Sequence, residues 1–185
     1  MFEKSDETLV KQALSGKKSA WIKLVKRYEK GLYNYALRMV SNREDAMDLM
    51  QDVFLAVYRN LASYRAESPF KGWLFKIAHY RCIEFYRRRK PVQSLEDHFE
   101  QGYEEEDIEC PEHIALQGQR AREIHKAMAC LPVEQKAIVE LKFFQHQTFD
   151  QIAVQLGISS NTAKSRLYSA LNKLKGSLEV EHEVA

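Results

Sequence analysis

The chain has 185 residues, 45% of them apolar and 29% charged, with a formal net charge of +2. This composition excludes a disordered or fibrous chain and fits one or two small globular domains. Seven Gly and four Pro give few turn signals, so long helices are expected rather than hairpins. Three scattered cysteines exclude a disulfide framework. No apolar run approaches the roughly 20 residues of a membrane span, and the first residues lack a signal-peptide core, so the expected location is the cytoplasm.

The charge is distributed unevenly along the chain. Residues 65–90 carry a net charge of +6, residues 91–118 carry −9, and residues 119–176 carry +5. The middle segment has nine acids, no Lys or Arg and no sustained apolar period, which predicts a flexible linker. It is either a spacer or a polyanion that occupies a cationic groove. The sequence therefore predicts an all-α fold with two small helical domains, 1–90 and 119–178, joined by the acidic linker 91–118 and followed by an acidic tail, 179–185.

The first 61 residues have the apolar spacing of three helices. Residues 6–15 form a short amphipathic helix that ends at Gly16, and a long core helix starts near Ser19. Ser41 or Asn42 then caps a third helix. Polar side chains gather on the outward side of this third helix: Asp45, Asp48, Gln51 and Asp52. That side is either a binding site or an acidic helix start that the macrodipole favours.

Residues 63–90 interleave aromatic and basic side chains. They hold seven aromatics and eight Lys or Arg against two carboxylates, Glu67 and Glu84. Cations suit a phosphate backbone and rings suit unpaired bases, so the combination indicates a surface for single-stranded nucleic acid. Ser68 and Pro69 resemble a helix cap and first turn. Helical spacing then places Leu74, Ala78, Cys82 and Phe85 toward a core, and Trp73, Lys76, Tyr80 and Arg87 toward a partner. A solvated basic helix with core aromatics is the simpler alternative.

The sharpest motif lies near the C-terminal end. Thr148 to Gln151 has the form of a capping box, Gly157 suits a left-handed helix end, and Ser159 caps a helix that should end near Lys175. The pattern predicts a helix-turn-helix, whose second helix enters the major groove. The candidate contacts to duplex DNA are Asn161, Thr162, Lys164, Ser165, Arg166, Tyr168 and Lys173. Of these, Arg166 suits guanine, Asn161 suits adenine, and Lys164 and Ser165 suit phosphate.

Together these stretches resemble the extracytoplasmic-function (ECF) group of bacterial sigma factors, the promoter-recognition subunits of RNA polymerase. Residues 44–61 look like the helix that docks on the largest polymerase subunit. Residues 64–90 look like the region that melts the promoter and reads its minus-10 element, and residues 131–178 look like the domain that reads the minus-35 element. The resemblance implies core RNA polymerase and promoter DNA as partners. It implies a binding function, with no catalytic residue, metal site, cofactor or small-molecule substrate.

The resemblance also implies roles for individual residues. It implies polymerase contacts from Asp48, Gln51 and Asp52, and minus-35 contacts from Lys164, Ser165 and Arg166. The loop 62–72 and the helix face after it would bind the melted non-template strand through Tyr64, Arg65, Phe70, Lys71, Trp73, Lys76, Tyr80 and Arg87. An anti-sigma factor is a further implied partner, with a membrane-bound one among the options. The acidic linker would thread through channels of the polymerase.

Three positions depart from the family pattern. Many relatives carry Asn where this chain has Tyr80 and Asp where it has Glu84, which leaves the base preference of the minus-10 site open. Lys136 stands where the second domain usually has Arg.

Two other functions stay open on the sequence. A free-standing helix-turn-helix regulator that binds an operator as a dimer would account for the C-terminal domain alone. A nucleic-acid enzyme such as a nuclease would need a ligand set, but the histidines and the pair Asp48 and Asp52 have no recurring metal-ligand spacing.

Overall fold

The computed structural model describes residues 4–40, 42–89, 124 and 126–183. Within these ranges every regular element is a helix, which confirms the all-α prediction. Internal contacts divide the chain into two units, Met1–Arg89 and Lys90–Ala185. The predicted linker, 91–118, lies outside the described residues. None of the described helices is long and apolar enough to cross a membrane.

The N-terminal unit contains four helices and a short 3₁₀ turn, Leu61–Ser63. The helices are α1 (Asp6–Leu14), α2 (Lys18–Val40), α3 (Arg43–Asn60) and α4 (Phe70–Arg89). Their ends follow local chemistry. Gly16 takes a left-handed φ of 87° after α1, where a residue without a side chain is least strained. Asn42 is the cap of α3, because its Oδ1 accepts a hydrogen bond of 3.0 Å from the N–H of Asp45.

Helices α2, α3 and α4 share the core of this unit. Its buried side chains include Leu24, Leu32, Tyr35, Met39, Leu49, Val53, Val57, Leu74, Phe75, Ala78 and Cys82. The rings of Tyr35 and Phe75 meet edge to face with centroids 5.4 Å apart, which joins α2 to α4. At the far end of α4, the hydroxyl of Tyr86 donates a 2.6 Å hydrogen bond to the carbonyl of Met39. The predicted inward side of α4 is therefore confirmed at Leu74, Ala78 and Cys82.

The C-terminal unit contains α5 (Val133–Val139), α6 (Phe149–Leu156) and α7 (Ser160–Glu183). Ahead of α5, Met128 and Leu131 are buried, whereas Ile124 is 43% exposed and lies outside the core. Helix α7 is longer than predicted. It passes the expected end near Lys175 and includes residues of the predicted tail as far as Glu183. Gly176 lies within it, because one glycine costs a helix only about 1 kcal/mol.

A π-helical turn, Glu140–Phe144, follows α5 directly and was not predicted. The N–H of Gln145 donates to the carbonyl of Glu140 at 3.0 Å, one residue further along the chain than in an α-helix. His146 then takes a positive φ of 56°. Glu140 is fully buried, and its carboxylate accepts a 3.1 Å hydrogen bond from the side chain of Gln145.

Helices α5, α6 and α7 enclose one apolar cluster together with described residues ahead of α5. Its buried members are Met128, Leu131, Ile138, Val139, Leu141, Ile152, Ala163, Leu167 and Ala170, with Phe144, Phe149, Leu156 and Ile158 packed against it. The core thus lies between α5, α6 and the first half of α7, and it fixes the angle at which α7 leaves the turn.

Candidate nucleic-acid and polymerase interfaces

Three rings meet where the loop 62–69 enters α4. The centroids of Tyr64 and Phe70 are 5.4 Å apart, those of Phe70 and Trp73 are 5.7 Å apart, and those of Tyr64 and Trp73 are 5.4 Å apart. Tyr64 and Trp73 are half-buried, so each keeps part of its ring in solvent. The arrangement offers aromatic surface that is held in place and still accessible for stacking.

Phe70 has a different place from the one predicted. The sequence put it among the contacts to DNA, but its side chain is 1% exposed. It lies under Tyr64 and Trp73, and its other side meets the ring of Tyr28, at a centroid distance of 5.6 Å. Phe70 therefore supports the exposed rings, and a base cannot stack on it in this structure.

The loop before α4 is held by local hydrogen bonds. The hydroxyl of Tyr64 donates to the carbonyl of Ser68 at 2.8 Å. Ala66 has a φ of 56°, in a region that costs a residue with a side chain free energy. Pro69, rather than Ser68, provides the first helical carbonyl, which accepts from the N–H groups of Gly72 (2.9 Å) and Trp73 (3.3 Å). This turn sets the position of the Tyr64 ring beside Trp73.

Cations surround the rings. Arg65, Lys71 and Arg87 are exposed and Lys76 is half-buried. Within the described residues, none of these four forms an ion pair, so their charge is available to a ligand. Tyr80, 55% exposed, adds a further ring on the outward side of α4.

The other arginines of α4 are engaged within the unit. Glu84 accepts hydrogen bonds from Arg81 at 2.7 Å and from Arg88 at 2.5 Å. The hydrogen bonds from Arg88 and Arg81 hold the pKa of Glu84 below its usual value, so this carboxylate stays charged and neutralises part of the helix. We define the ring-and-cation face as Tyr64, Arg65, Lys71, Trp73, Lys76, Tyr80 and Arg87.

The outward side of α3 forms a second surface. Asp48, Gln51 and Asp52 are exposed there, as predicted for a binding site or a solvated helix. Met47 and Leu55 are also exposed, at 47% and 52%, so apolar side chains lie on both sides of the acids along the helix. A surface of this kind suits a partner that offers cations around an apolar strip.

Asp45 does not belong with those acids. Its carboxylate receives two hydrogen bonds from the guanidinium of Arg89, at 2.6 and 2.5 Å. The same guanidinium lies 4.5 Å from the centre of the Phe85 ring. Asp45 therefore joins the start of α3 to the end of α4, and the acidic face consists of Asp48, Gln51 and Asp52 alone.

The helix-turn-helix has the local structure that the sequence predicts. Thr148 and Gln151 form both hydrogen bonds of the capping box, at 2.9 and 3.2 Å. Gly157 has a φ of 67°, and the hydroxyl of Ser159 accepts from the N–H of Thr162 at 3.0 Å. One further bond was not predicted: the hydroxyl of Ser160 donates to Asp150 at 2.6 Å and ties α7 to α6.

The first turns of α7 carry the candidate contacts to duplex DNA. Asn161, Lys164, Ser165 and Tyr168 are exposed, and Arg166 is half-buried. Thr162 is also half-buried, and its hydroxyl is paired with that of Ser159 at 2.8 Å, which suits a capping role. The amine of Lys164 lies 5.8 Å from the centre of the Phe149 ring. These polar side chains lie at the start of the second helix of the motif, the part that enters the major groove in helix-turn-helix proteins.

The described residues contain no group of three or more His, Cys, Asp or Glu side chains that could hold a metal ion.

Comparison with known proteins defines the class to which these two units belong. The Sigma-70 region 2 family matches residues 24–92, and the Sigma-70 region 4 family matches residues 121–174. The first match contains α3, α4 and the ring-and-cation face, and the second contains the helix-turn-helix. The chain therefore has the two DNA-binding regions of a sigma factor in their usual order.

Individual relatives narrow the class. The ECF RNA polymerase sigma factor SigM of Mycobacterium tuberculosis is 30% identical over 174 residues, which cover 93% of this chain and 84% of SigM. The RNA polymerase sigma-H factor of Pseudomonas aeruginosa is 28% identical over 184 residues, 96% of this chain and 95% of that protein. The chain belongs to the ECF group of bacterial RNA polymerase sigma factors. It is thus an alternative sigma factor, and its partners are core RNA polymerase and promoter DNA.

A solved structure has the same fold. The sigma factor RpoE from Bartonella quintana, in a co-crystal structure with the anti-sigma factor NepR, matches with a TM-score of 0.64 and 23% identity. The match covers 85% of this chain and 96% of that one.

Proposed function

We propose that this sigma factor divides its work among three surfaces: the acidic face of α3, the ring-and-cation face of α4 and its preceding loop, and the start of α7. One observation carries the proposal. A single chain holds exposed rings among cations for unpaired bases and an exposed helix-turn-helix for duplex DNA. A protein that bound only duplex DNA would need only the helix-turn-helix.

The acidic face of α3 would bind core RNA polymerase. Asp48, Gln51 and Asp52 are exposed, and the charges of the two aspartates are not used in an ion pair within the described residues. The exposed side chains of Met47 and Leu55 would add apolar contact. Charges at such an interface set orientation and association rate, and the apolar contacts supply affinity.

The ring-and-cation face would capture bases of the non-template strand at the minus-10 element. Bases that leave the duplex would stack on Tyr64, Trp73 and Tyr80, and each stacked base stabilises the open state by roughly 1–3 kcal/mol. Arg65, Lys71, Lys76 and Arg87 would hold the phosphates of the same strand. Because the stacking contacts exist only with unpaired bases, their free energy would favour the melted promoter over the closed duplex.

The start of α7 would read the minus-35 duplex. Arg166 would contact guanine and Asn161 adenine, whereas Lys164 and Ser165 would contact phosphates and fix the register. Tyr168 would add apolar contact. The chain would act in the cytoplasm by binding alone, with no catalytic step of its own.

We also propose control by an anti-sigma factor. The similar RpoE structure contains one, and this chain offers Ile22, Leu55 and Tyr58 as exposed apolar side chains on α2 and α3. An anti-sigma factor that covers α3 would exclude polymerase. Leu55→Glu should then weaken a complex with the anti-sigma factor, as measured by co-purification, and undiminished binding would contradict this surface.

Run-off transcription tests the main proposal. Core polymerase is supplied with a genomic fragment library, with and without the chain, and the start sites are mapped. The expected result is initiation downstream of a shared pair of elements. It should be lost with Asp48→Arg and retained with Glu67→Arg, a control of equal charge change at an exposed acid outside the α3 face. No initiation with the unchanged chain, or equal initiation with Asp48→Arg, would contradict it.

A further inference from the structure

The buried underside of the ring-and-cation face leads to α1 and α2. Phe70, which supports Tyr64 and Trp73, meets the ring of Tyr28 in α2 at a centroid distance of 5.6 Å. The hydroxyl of Tyr28 donates a 2.5 Å hydrogen bond to the carboxylate of Asp6 in α1. A continuous series of contacts thus runs from the first residue of α1 to rings that solvent reaches.

Asp6 is held from a second side. Its other carboxylate oxygen accepts a 2.5 Å hydrogen bond from Arg27, and the same guanidinium donates to the carbonyl of Lys4 at 2.8 Å. The side chains of Asp6 and Arg27 are each 25% exposed, so the pair is partly shielded from solvent. A charge-assisted pair in such a place has a fixed geometry and is stronger than a pair on the surface.

The electrostatics agree with this geometry. Burial and then the hydrogen bond to Asp6 raise the pKa of Tyr28, so its hydroxyl remains a proton donor at neutral pH. Burial and the negative charges of Glu7 and Asp6 raise the pKa of Tyr64.

We propose that Asp6, Arg27 and Tyr28 are positioning residues for promoter melting: they tie α1 to the support under Tyr64 and Trp73 and fix the angle of these rings. This inference rests on the proposed function of the ring-and-cation face. It assigns to α1, which lies before the matched region 2 at residues 24–92, a part in capturing unpaired bases.

The physical reason is that stacking requires a fixed plane. Tyr64 and Trp73 make ring contacts with each other and with Phe70, and Phe70 is held from below by Tyr28. Without the hydroxyl of Tyr28, the carboxylate of Asp6 keeps its hydrogen bond from Arg27. The ring of Tyr28 then loses the hydrogen bond that ties it to α1. Phe70 can then shift under Tyr64 and Trp73, while α3 and the C-terminal unit keep their own contacts.

The test compares Tyr28→Phe and Asp6→Asn with Tyr33→Phe. Tyr33 is a matched control, because it is a half-buried tyrosine of the same helix whose side chain has no hydrogen bond within the described residues. Each variant is assembled with core polymerase. Binding is measured to a 2-aminopurine-labelled single strand with the non-template minus-10 sequence of the mapped promoter, and to a duplex with only the minus-35 element.

We expect Tyr28→Phe and Asp6→Asn to weaken single-strand binding about three- to tenfold, less than the full contribution of a hydrogen bond to a charged group, because this bond acts on the stacking rings only through Phe70. Duplex binding and polymerase affinity should stay within about twofold, since α7 and α3 lie outside this series of contacts. Tyr33→Phe should match the unchanged chain in all three assays.

A second readout needs no DNA. The chain has two tryptophans, so Trp21→Phe leaves Trp73 as the sole tryptophan, which can be excited selectively over the tyrosines. In that background, Tyr28→Phe should increase quenching of Trp73 by acrylamide, and Tyr33→Phe should not. An unchanged Trp73 signal together with unchanged single-strand binding in both variants would overturn the inference.

Different results would contradict the proposed function of the ring-and-cation face and the positioning role of Asp6, Arg27 and Tyr28. If the unchanged holoenzyme does not bind the single strand, the proposed function of the face is wrong, and the inference about melting falls with it. If that holoenzyme binds but Tyr28→Phe and Asp6→Asn bind equally well, only the positioning role is wrong. An equal loss in single-strand, duplex and polymerase binding would indicate general destabilisation and would also overturn it.

Discussion

In the N-terminal unit, the solvent-facing rings of Tyr64 and Trp73 rest on the buried Phe70, whereas in the C-terminal unit the residues at the start of α7 project singly from an exposed helix side. The first surface is the outer edge of a core, so its shape depends on residues beneath it. The second depends on a turn that aims the helix. On the proposed function, unpaired bases would be captured by packed aromatic surface, and duplex DNA would be read by side chains that act separately.

The largest expected effect is that of Trp73→Ala. It removes one ring on which a base would stack, and a stacked base contributes roughly 1–3 kcal/mol, or about 5- to 150-fold in open-complex formation. Permanganate footprinting of the holoenzyme on the mapped promoter would measure this. Trp73→Phe keeps an aromatic ring and should retain most of the activity. Equal footprints for Trp73→Ala and the unchanged chain would show that the Trp73 ring does not contribute to promoter melting.

Arg166→Ala should have a more local effect. If Arg166 reads one base pair, the variant loses roughly 1–3 kcal/mol of discrimination at that position and little elsewhere. Binding to a set of single-base minus-35 variants measures this. Arg166→Lys keeps the charge but not the bidentate geometry, so it should also relax the preference. A uniform loss over all sequences would instead assign Arg166 to phosphate.

Gly157→Ala tests how far the second surface depends on the turn. With a φ of 67°, an alanine there should cost roughly 1–2 kcal/mol of unfolding free energy. Gly176→Ala is the matched control, since Gly176 lies within α7 with open space around it, and alanine is favoured in a helix by about 1 kcal/mol. Thermal unfolding should therefore shift in opposite directions. A shift in the same direction for both would contradict the role of the turn.

The smallest effect is expected for Lys164→Ala. A lysine that contacts phosphate adds no sequence preference, so the variant should bind all minus-35 sequences slightly less well. The slope of log affinity against log salt should fall by about 1. Ser165→Ala serves as an uncharged comparison and should leave that slope unchanged. A change of preference without a change of slope would place Lys164 on a base edge.

The sequence predicted best what neighbouring residues determine. The capping box at Thr148 and Gln151, the left-handed Gly157 and the cap at Ser159 are contacts within three or four residues, so their spacing is visible in the chain. The inward side of α4 was also predictable, because helical periodicity identifies it at Leu74, Ala78 and Cys82.

Contacts between distant residues could not be predicted in this way. Asp45 was placed among the exposed acids, because nothing near it in sequence shows that Arg89 binds it across 44 positions. Phe70 was assigned to DNA, because an aromatic residue in the first turn of a basic helix fits either side of it. The bond from Tyr28 to Asp6 spans 22 positions, and the π-helical turn at Glu140 has no glycine or proline to mark it.

The most direct test of the account measures the holoenzyme on two probes, the single-stranded minus-10 strand and the minus-35 duplex. Trp73→Ala should lose affinity for the single strand and keep its affinity for the duplex, and Arg166→Ala should do the opposite. On each probe, the double variant should show the sum of the changes in binding free energy of the two single variants. Either variant weakening both probes equally would contradict the claim that the two units read different states of the promoter.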